Sequence, residues 1–326
     1  MKVAFLASGP FAVPALDLLH AGGSEFELCG VVCRPGRPAG RGRKTRENPV
    51  KTRAQELGIT CLTPPTVNSP EFCEELRSTG LDVLIVADYG ELLREEVLSL
   101  PPLGAFNIHA SILPSYRGAA PVVHALLNGE KETGVTLFRI ERGLDSGPVV
   151  ACLSTEIAAG ETAGELEERL ATLGARLLAR QLPLLATGEA SEESQDESCV
   201  TLAPKIRKAD GLIEWDRPAP AVHDLVRAMS PWPLAHSFLS PAQGKPARVS
   251  ILRSAPAQEA AGAGSRPPGT VCCVERDGFS VSCSSGALQV LELQRDGKSA
   301  MDTASYLRGN PLEVGDCFNS SALEAR

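Results

Sequence analysis

The sequence predicts an α/β protein: an open, mainly parallel sheet with helices on both faces, followed by a small β-barrel. Three observations predict it. Short apolar runs alternate with helix-like stretches through the first half of the chain, and strands separated by helices of that length pair in parallel through crossovers. Residues 187–199, TGEASEESQDESC, are acidic and nearly devoid of apolar side chains, which marks a break in composition. Beyond the break, short strand-like runs are divided by turn residues at the spacing of a barrel.

The elements follow in order. Residues 2–7 are an apolar run after Lys2, the expected first strand. Ser8-Gly9-Pro10 turns into a helix over 14–20, and 26–33 make a second strand. Gly36, Pro38, Gly40 and Gly42 then predict a segment without regular structure. Asn48-Pro49 reads as a helix start, with Asn as cap and Pro at the first helical position. A helix is expected over 71–78, a buried strand over 82–87 and a short strand over 105–109. Residues 134–140 and 148–154 flank the turn Arg142-Gly143-Leu144-Asp145-Ser146-Gly147 and are expected to pair antiparallel. Thr162-Ala163-Gly164-Glu165 is a capping box that opens a long helix, with Leu166, Leu170, Leu173, Leu177 and Leu178 as its apolar stripe. Past Ala203 a helix over 218–229 precedes strands over 248–252, 269–274, 278–283 and 287–294, and the Ala-, Gly- and Pro-rich residues 255–268 are expected to be a mobile loop. The division expected is 1–187, a linker over 188–204, and 205–326.

A chain of 326 residues can bury two cores, and 43% hydrophobic with 22% charged residues is ordinary for a globular protein. No run reaches the roughly 18 apolar residues of a membrane span, and Ser8-Gly9-Pro10 interrupts the first apolar run too early for a signal-peptide core. A cytoplasmic monomer with no membrane partner is expected. The ten cysteines form no Cys-x-x-Cys pair and most lie in apolar runs, so buried, reduced thiols and no metal are expected. The first strand is not followed by Gly-x-Gly-x-x-Gly, so no nicotinamide is expected either. Net charge is −8, yet eight basic residues between Arg34 and Arg53 face one acid, Glu47. That segment is +7 and the remainder −15. Such a concentration steers a polyanion to one place, or is a solvated loop with an excess of Arg.

Chemistry is carried by Asn107-Ile108-His109. Period-2 geometry puts the amide and the imidazole on one face of a strand end, where open parallel sheets bind ligands. An amide that can donate to an oxyanion beside a ring that can move a proton suits acyl chemistry. An isolated Asn-x-His is more often a strand-end Asn serving the turn beside a satisfied histidine. The run Ser111-Ile112-Leu113-Pro114-Ser115-Tyr116-Arg117-Gly118-Ala119-Ala120-Pro121 fits neither helix nor core strand and reads as a shaped loop with free backbone amides and carbonyls, suited to a flat polar heterocycle. Asp145, in its Gly-flanked turn, can return to the sheet edge and orient His109, or serve the turn alone.

The segment from Phe106 to Pro121 resembles the signature of the 10-formyltetrahydrofolate-dependent formyltransferases, and Gly143-Leu144-Asp145-Ser146-Gly147 is similar to the same family's aspartate turn. The resemblance implies a Rossmann-like sheet followed by an OB-like barrel, a catalytic trio of Asn107, His109 and Asp145, and 10-formyltetrahydrofolate as co-substrate contacted by Ser111, Ile112, Leu113 and Pro114. Residues 37–44 and Pro49-Val50-Lys51 resemble the loop with which the branch acting on initiator methionyl-tRNA grips the acceptor end, implying tRNA contacts by Arg37, Arg41, Arg43 and Lys44. Ser230-Pro231-Trp232-Pro233 resembles part of that branch's C-terminal domain, and Ser8 to Ala15, with Phe11, its aminoacyl-binding part. A hydrolase with the same trio, or a formyltransferase acting on an amino sugar or a purine precursor, would not need the +7 segment. Two features depart from the pattern. Asp88 stands where a small apolar residue is expected, and from Lys205 onward 14 basic residues nearly balance 13 acidic ones, which confines the expected tRNA contacts of that domain to Lys205, Arg207 and Lys208.

Overall fold

The computed structural model describes residues 1–22, 26–39, 44–242, 245–257 and 266–320, with 37–39 and 44–46 described by their backbone. It divides into two compact units. The first comprises Met1–Pro121, Glu132–Glu156 and Glu167–Ala203, and the second Val122–Lys131, Ile157–Leu166 and Pro204–Arg326.

The first unit holds strands β1 (Lys2–Ala7), β2 (Glu27–Val32), β3 (Arg37–Ala39), β4 (Lys44–Arg46), β5 (Cys61–Leu62), β6 (Val83–Ala87), β7 (Ala105–His109), β8 (Arg117–Gly118), β9 (Glu132–Arg139), β10 (Val149–Glu156) and β11 (Leu202–Ala203). Its main sheet runs β10-β9-β7-β6-β1-β2-β5; β7, β6, β1, β2 and β5 are parallel, and β9 and β10 are antiparallel additions at one edge. This is the Rossmann-like arrangement. Central strands covered on both faces read as continuous apolar runs. Accordingly Val3, Ala4, Phe5, Leu6 and Ala7 are all fully buried, as are Val83, Leu84 and Ile85 on the neighbouring strand.

Helix α1 (Val13–Ala21) follows β1, and α2 (Pro49–Glu56), α3 (Pro70–Ser78) and α4 (Glu95–Leu98) follow in the crossovers. The expected cap is in place: Asn48 Oδ1 accepts from the backbone of Val50 at 3.0 Å and of Lys51 at 3.2 Å, an interaction worth about 1 kcal/mol. Helix α5 (Pro121–Leu127) precedes β9. Helix α6 (Ala163–Thr187) opens on the Thr162–Glu165 capping box, with Thr162 N–H donating to Glu165 Oε2 at 2.9 Å. Gly174 of α6 rests on Ile108, Phe11 and Val135, so this helix covers the sheet face opposite Asn107 and His109.

Two expectations are corrected here. The described parts of this segment are not devoid of regular structure: β3 and β4 pair antiparallel, Arg37 with Arg46 and Ala39 with Lys44. The cysteines are not all reduced and buried. The parallel register that places Val31 beside Cys61 and Val32 beside Leu62 brings the Cα atoms of Cys33 and Cys61 to 6.6 Å, within disulfide reach, and the two are bonded. Of the free cysteines, Cys73, Cys272 and Cys283 are buried while Cys152 and Cys199 are exposed.

The second unit contains α7 (Ala219–Ala228), α8 (Thr303–Gly309) and strands β12 (Ala235–Ser240), β13 (Ala247–Ala257), β14 (Val271–Val274), β15 (Phe279–Ser282), β16 (Ala287–Arg295), β17 (Met301–Asp302) and β18 (Cys317–Asn319). The antiparallel order is β14-β15-β16-β13-β12-β18, and a bridge from Thr270 to Cys317 brings the last strand back to the first, giving a nearly closed, OB-like barrel. Phe318 fills it, stacked on Phe279 at 5.9 Å and tilted against Trp215 at 5.7 Å. The stretch expected as a loop over 255–268 is corrected at its start, because Ala255, Pro256 and Ala257 continue β13; residues 258–265 lie outside the described residues. No helix among the described residues is long and apolar enough to cross a membrane.

Candidate active site

Asn107 and His109 share one face of β7, next to their cross-strand partners Phe138 and Thr136 on β9. The Phe138 ring meets His109 edge-on, with centroids 6.3 Å apart. His109 is only 6% exposed. Its Nε2 lies 2.9 Å from the carbonyl oxygen of Tyr116. A carbonyl only accepts, so Nε2 carries a proton and Nδ1 is the nitrogen turned toward Asp145. Nδ1 is 3.8 Å from Asp145 Oδ2, an ion-pair distance rather than a hydrogen bond. The Asp145 carboxylate is itself held by the Gly118 N–H, which donates to Oδ2 at 2.8 Å. Position 118 has to be glycine: φ is +126°, and a Cβ there would lie 2.6 Å from the Ala203 carbonyl. The Asn107 amide is half-buried and has no hydrogen-bond partner among the described residues, which leaves both its N–H groups available.

The structure thus places Asp145 3.8 Å from His109, with Asn107 on the same face of β7. The β9–β10 turn starts at the amino end of β7, where Ile140 N–H donates to Ala105 O. The turn nonetheless reaches His109, with Asp145 at φ +48°. His109 is the last residue of β7, so the Asp145 carboxylate sits at the carboxyl end of that strand.

The loop after His109 also differs from expectation, because most of its amides are engaged. Leu113 N–H donates to Thr136 Oγ1 at 3.1 Å, Ser115 N–H to Ile112 O, Tyr116 N–H to Thr201 Oγ1, Arg117 N–H to Thr201 O and Ala120 N–H to Ala203 O. Ser111 is fully buried and its hydroxyl donates to Ser115 O at 2.6 Å. Leu113 is buried and joined to Pro114 by a cis peptide; Ile112 and Pro114 keep partly exposed surface. The loop is a scaffold whose own groups fix its shape.

Much of that fixing comes from residues the sequence did not single out. The acidic stretch expected as a solvated linker is exposed, yet it is tied down. Glu193 and Val149 exchange two backbone hydrogen bonds of 2.8 Å. Gln195 Nε2 donates to Asp145 O at 2.8 Å and Gly147 O at 2.7 Å. The buried Arg117 guanidinium donates to Gln195 Oε1 and, in a two-pronged pair, to Glu197 at 2.8 and 3.2 Å. That hydrogen bonding holds the Glu197 carboxyl below its usual range. Polar side chains in a low-complexity acidic stretch carry no local signal of such contacts.

Asp88 stands at the carboxyl end of β6 beside β1, where the strand order reverses and open α/β sheets bind ligands. Its backbone is left-handed, φ +44°, and a Cβ on Gly9 would fall within its carboxylate. More than a third of its surface is open, but surrounding protein hems in the carboxyl and burial pushes its pKa up to about 6. Nearby, Glu167 is raised as well, chiefly by burial and then by the charge of Asp88. For an acid with a raised folded-state value, the folded state is penalised above about pH 6 and not below the unfolded value near 3.8. Asp88→Asn is therefore expected to raise the melting temperature at pH 8 and leave it unchanged at pH 3, by a small amount because the side chain is partly solvated. A melting temperature that falls at pH 8 would contradict a desolvated carboxyl.

Of the residues expected to contact tRNA, Arg41 and Arg43 lie outside the described residues, and Arg37 and Lys44 fall on the facing strands β3 and β4. Lys205, Arg207 and Lys208 are exposed. Phe11 is buried at 6% exposure, and the Trp232 side chain is exposed between two cis-prolyl bonds. Among the described residues, no group of three or more His, Cys, Asp or Glu side chains is placed to hold a metal ion.

Residues 1–182 match the family model described as formyl transferase, and residues 205–311 match the formyl transferase C-terminal domain. A methionyl-tRNA formyltransferase of Citrifermentans bemidjiense is 41% identical over 97% of this chain and 95% of its own length. Another, from Methylobacterium sp. (strain 4-46), is 42% identical over 97% of this chain and 98% of its own length. Among solved structures, WlaRD, a sugar 3N-formyl transferase crystallised in the presence of dTDP and 5-N-formyl-THF, superposes with a TM-score of 0.64 at 18% identity, covering 92% of this chain and 99% of that one. An N-formyltransferase from Helicobacter canadensis, in complex with folinic acid and dTDP-3-aminofucose, gives 0.64 at 17% identity over 90% and 99%. At these identities the two structures speak to the fold. With two family models end to end and relatives near 40% identity over almost its whole length, the chain belongs to the formyl transferase family of one-carbon group-transferring enzymes.

Proposed function

We propose that the chain transfers the formyl group of 10-formyltetrahydrofolate to the α-amino group of initiator methionyl-tRNA, for translation initiation. The observation that carries this reading is the likeness to proteins named methionyl-tRNA formyltransferase along both units. The +7 segment adds a place for a polyanionic acceptor.

In this reading the unprotonated α-amine attacks the formyl carbon, and the C–N bond forms as the carbonyl π pair moves onto oxygen. Asn107 donates an N–H to that oxyanion, and His109 donates from Nδ1 when the ring is protonated. Asp145, facing the ring, takes the proton that the attacking nitrogen sheds, directly or through water. Collapse of the tetrahedral species expels N10 of the folate, which takes up the proton held by Asp145, directly or through water, and so restores the carboxylate. No metal enters these steps. Ser111, Ile112, Leu113 and Pro114 form the folate-contacting segment. Because the Ser111 hydroxyl and the Leu113 amide are already bonded, their part is to hold shape, and direct contact falls to Ile112 and Pro114.

The test is incubation with 10-formyltetrahydrofolate and methionyl-tRNA, free methionine or no acceptor. Formylation of the charged tRNA alone supports the reading. Equal formate release without tRNA makes the chain a hydrolase. Formylation of free methionine removes tRNA from the substrate.

Arg37, Arg41, Arg43 and Lys44 are assigned to tRNA phosphates, with Arg41 foremost. Arg41→Ala is expected to lower kcat/KM for tRNA, to flatten its log–log salt dependence by about one unit, and to leave the folate KM unchanged. A rise in folate KM with unaltered tRNA kinetics would reassign the segment.

A further inference from the structure

Gln195 lies in a stretch with the composition of a linker, yet its amide is used to full capacity. Both N–H groups of Nε2 are donated, to Asp145 O at 2.8 Å and to Gly147 O at 2.7 Å, so the side chain spans the turn that presents Asp145. Oε1 accepts twice, from Arg117 Nη2 at 2.8 Å and Nε at 3.1 Å. Two carbonyls on one side and a guanidinium on the other leave only one orientation of the amide.

Arg117 is the centre of the other clamp. The residue before it supplies the carbonyl that holds His109 Nε2 at 2.9 Å, and the residue after it the N–H that holds Asp145 Oδ2 at 2.8 Å. Gln195 therefore links the two backbone segments that set the imidazole and the carboxylate against each other. The far side of the segment is secured by the Glu193–Val149 bridge and the Arg117–Glu197 pair. Asp145 needs such support, because a left-handed conformation is one that a residue with a side chain keeps only where its surroundings impose it.

We propose that Gln195 is a positioning residue for formyl transfer, acting through the backbone of Asp145 to hold the carboxylate in line with Nδ1 of His109. This rests on the catalytic part proposed for Asp145. The predicted signature is a fall in kcat with little change in KM, because Gln195 touches neither substrate.

The experiment compares the full chain with Gln195→Ala and Gln195→Glu, using 10-formyltetrahydrofolate and methionyl-tRNA from pH 5.5 to 8.5. For Gln195→Ala, kcat is expected to fall roughly 10- to 100-fold, the scale of a displacement of about 1 Å, with both KM values within about twofold. Gln195→Glu keeps the volume and the Arg117 pairing but turns a carboxylate toward two carbonyls. It should lose as much as the Ala variant at pH 8. Its kcat relative to the unaltered protein should rise as pH falls, because the protonated acid regains one O–H donor. A side chain that merely supports the fold through Arg117 gives neither result. Near-normal kcat for Gln195→Glu at pH 8, or a ratio that is flat with pH, overturns the proposal, and this variant decides alone if Gln195→Ala does not fold. Asp145→Asn is run alongside. If it is inactive while Gln195→Glu is normal, only the positioning role falls; if it is fully active, the premise falls with it.

Discussion

Asn107→Ala is expected to lower kcat by roughly 10²–10³-fold, the usual cost of one missing oxyanion donor, with the melting temperature nearly unchanged. The separation of activity from stability follows from the site. The backbone of Asn107 is paired on both sides, to Val86 of β6 and Phe138 of β9, and truncating the side chain leaves those pairings intact. The amide has no partner among the described residues, so no network is broken. Binding of either substrate should change little, because an oxyanion exists only after attack. Asn107→Asp, which keeps the shape but replaces donors by acceptors, should be at least as damaging. Initial rates with saturating folate and tRNA, beside a thermal melt of each variant, check this. Retention of more than about a tenth of the rate would falsify the assignment of Asn107 to the oxyanion.

The second large effect is expected at Asp145→Asn: a fall in kcat of roughly 10²–10⁴-fold, the span of general acid–base contributions. The substitution is structurally mild. An amide oxygen can still accept from Gly118 N–H, and asparagine tolerates the left-handed backbone at this position better than most residues. What is lost is the negative charge 3.8 Å from His109 Nδ1 and, with it, the acceptor proposed for the amine proton. Single-turnover rates separate this chemistry from tRNA release. A variant that transfers formyl within about tenfold of the unaltered protein would remove Asp145 from the proposed proton transfer.

The fold was legible wherever apolar spacing or a cap sets the local conformation. The runs at β1 and β6, the Asn48-Pro49 start and the Thr162–Glu165 box are such places, and each appears as read. Strand β12 was not legible, and its burial pattern explains why. It alternates in and out, but the inward position at its centre is Ser237, which accepts from Trp215 Nε1 at 3.0 Å and donates to Asn319 O at 2.9 Å. A buried hydroxyl gives no apolar period to read. The Cys33–Cys61 bond depends on which strands become neighbours, which spacing along the chain does not state. In the site, Asn107 and His109 were candidates because two chemical groups two residues apart share a strand face, and the resemblance of the whole segment from Phe106 to Pro121 to the family signature singled them out. The partner of His109 Nε2 was invisible because it is a main-chain carbonyl, a group every residue owns. The part of Gln195 was equally hidden, since its partners lie 48 to 78 residues away.

Those separations bear on how the enzyme comes into being on the ribosome. Synthesis runs from the amino end, so the strand carrying Asn107 and His109, and then the Asp145 turn, leave the exit tunnel well before the segment containing Gln195, Glu197 and Thr201. A nascent chain of the first 150 or so residues can build the central sheet but has neither the brace on the aspartate turn nor the hydroxyl at Thr201 that receives the Tyr116 amide. The contacts that fix the Asp145 turn and the Tyr116 amide therefore form late in translation, set by the emergence of a short acidic tract.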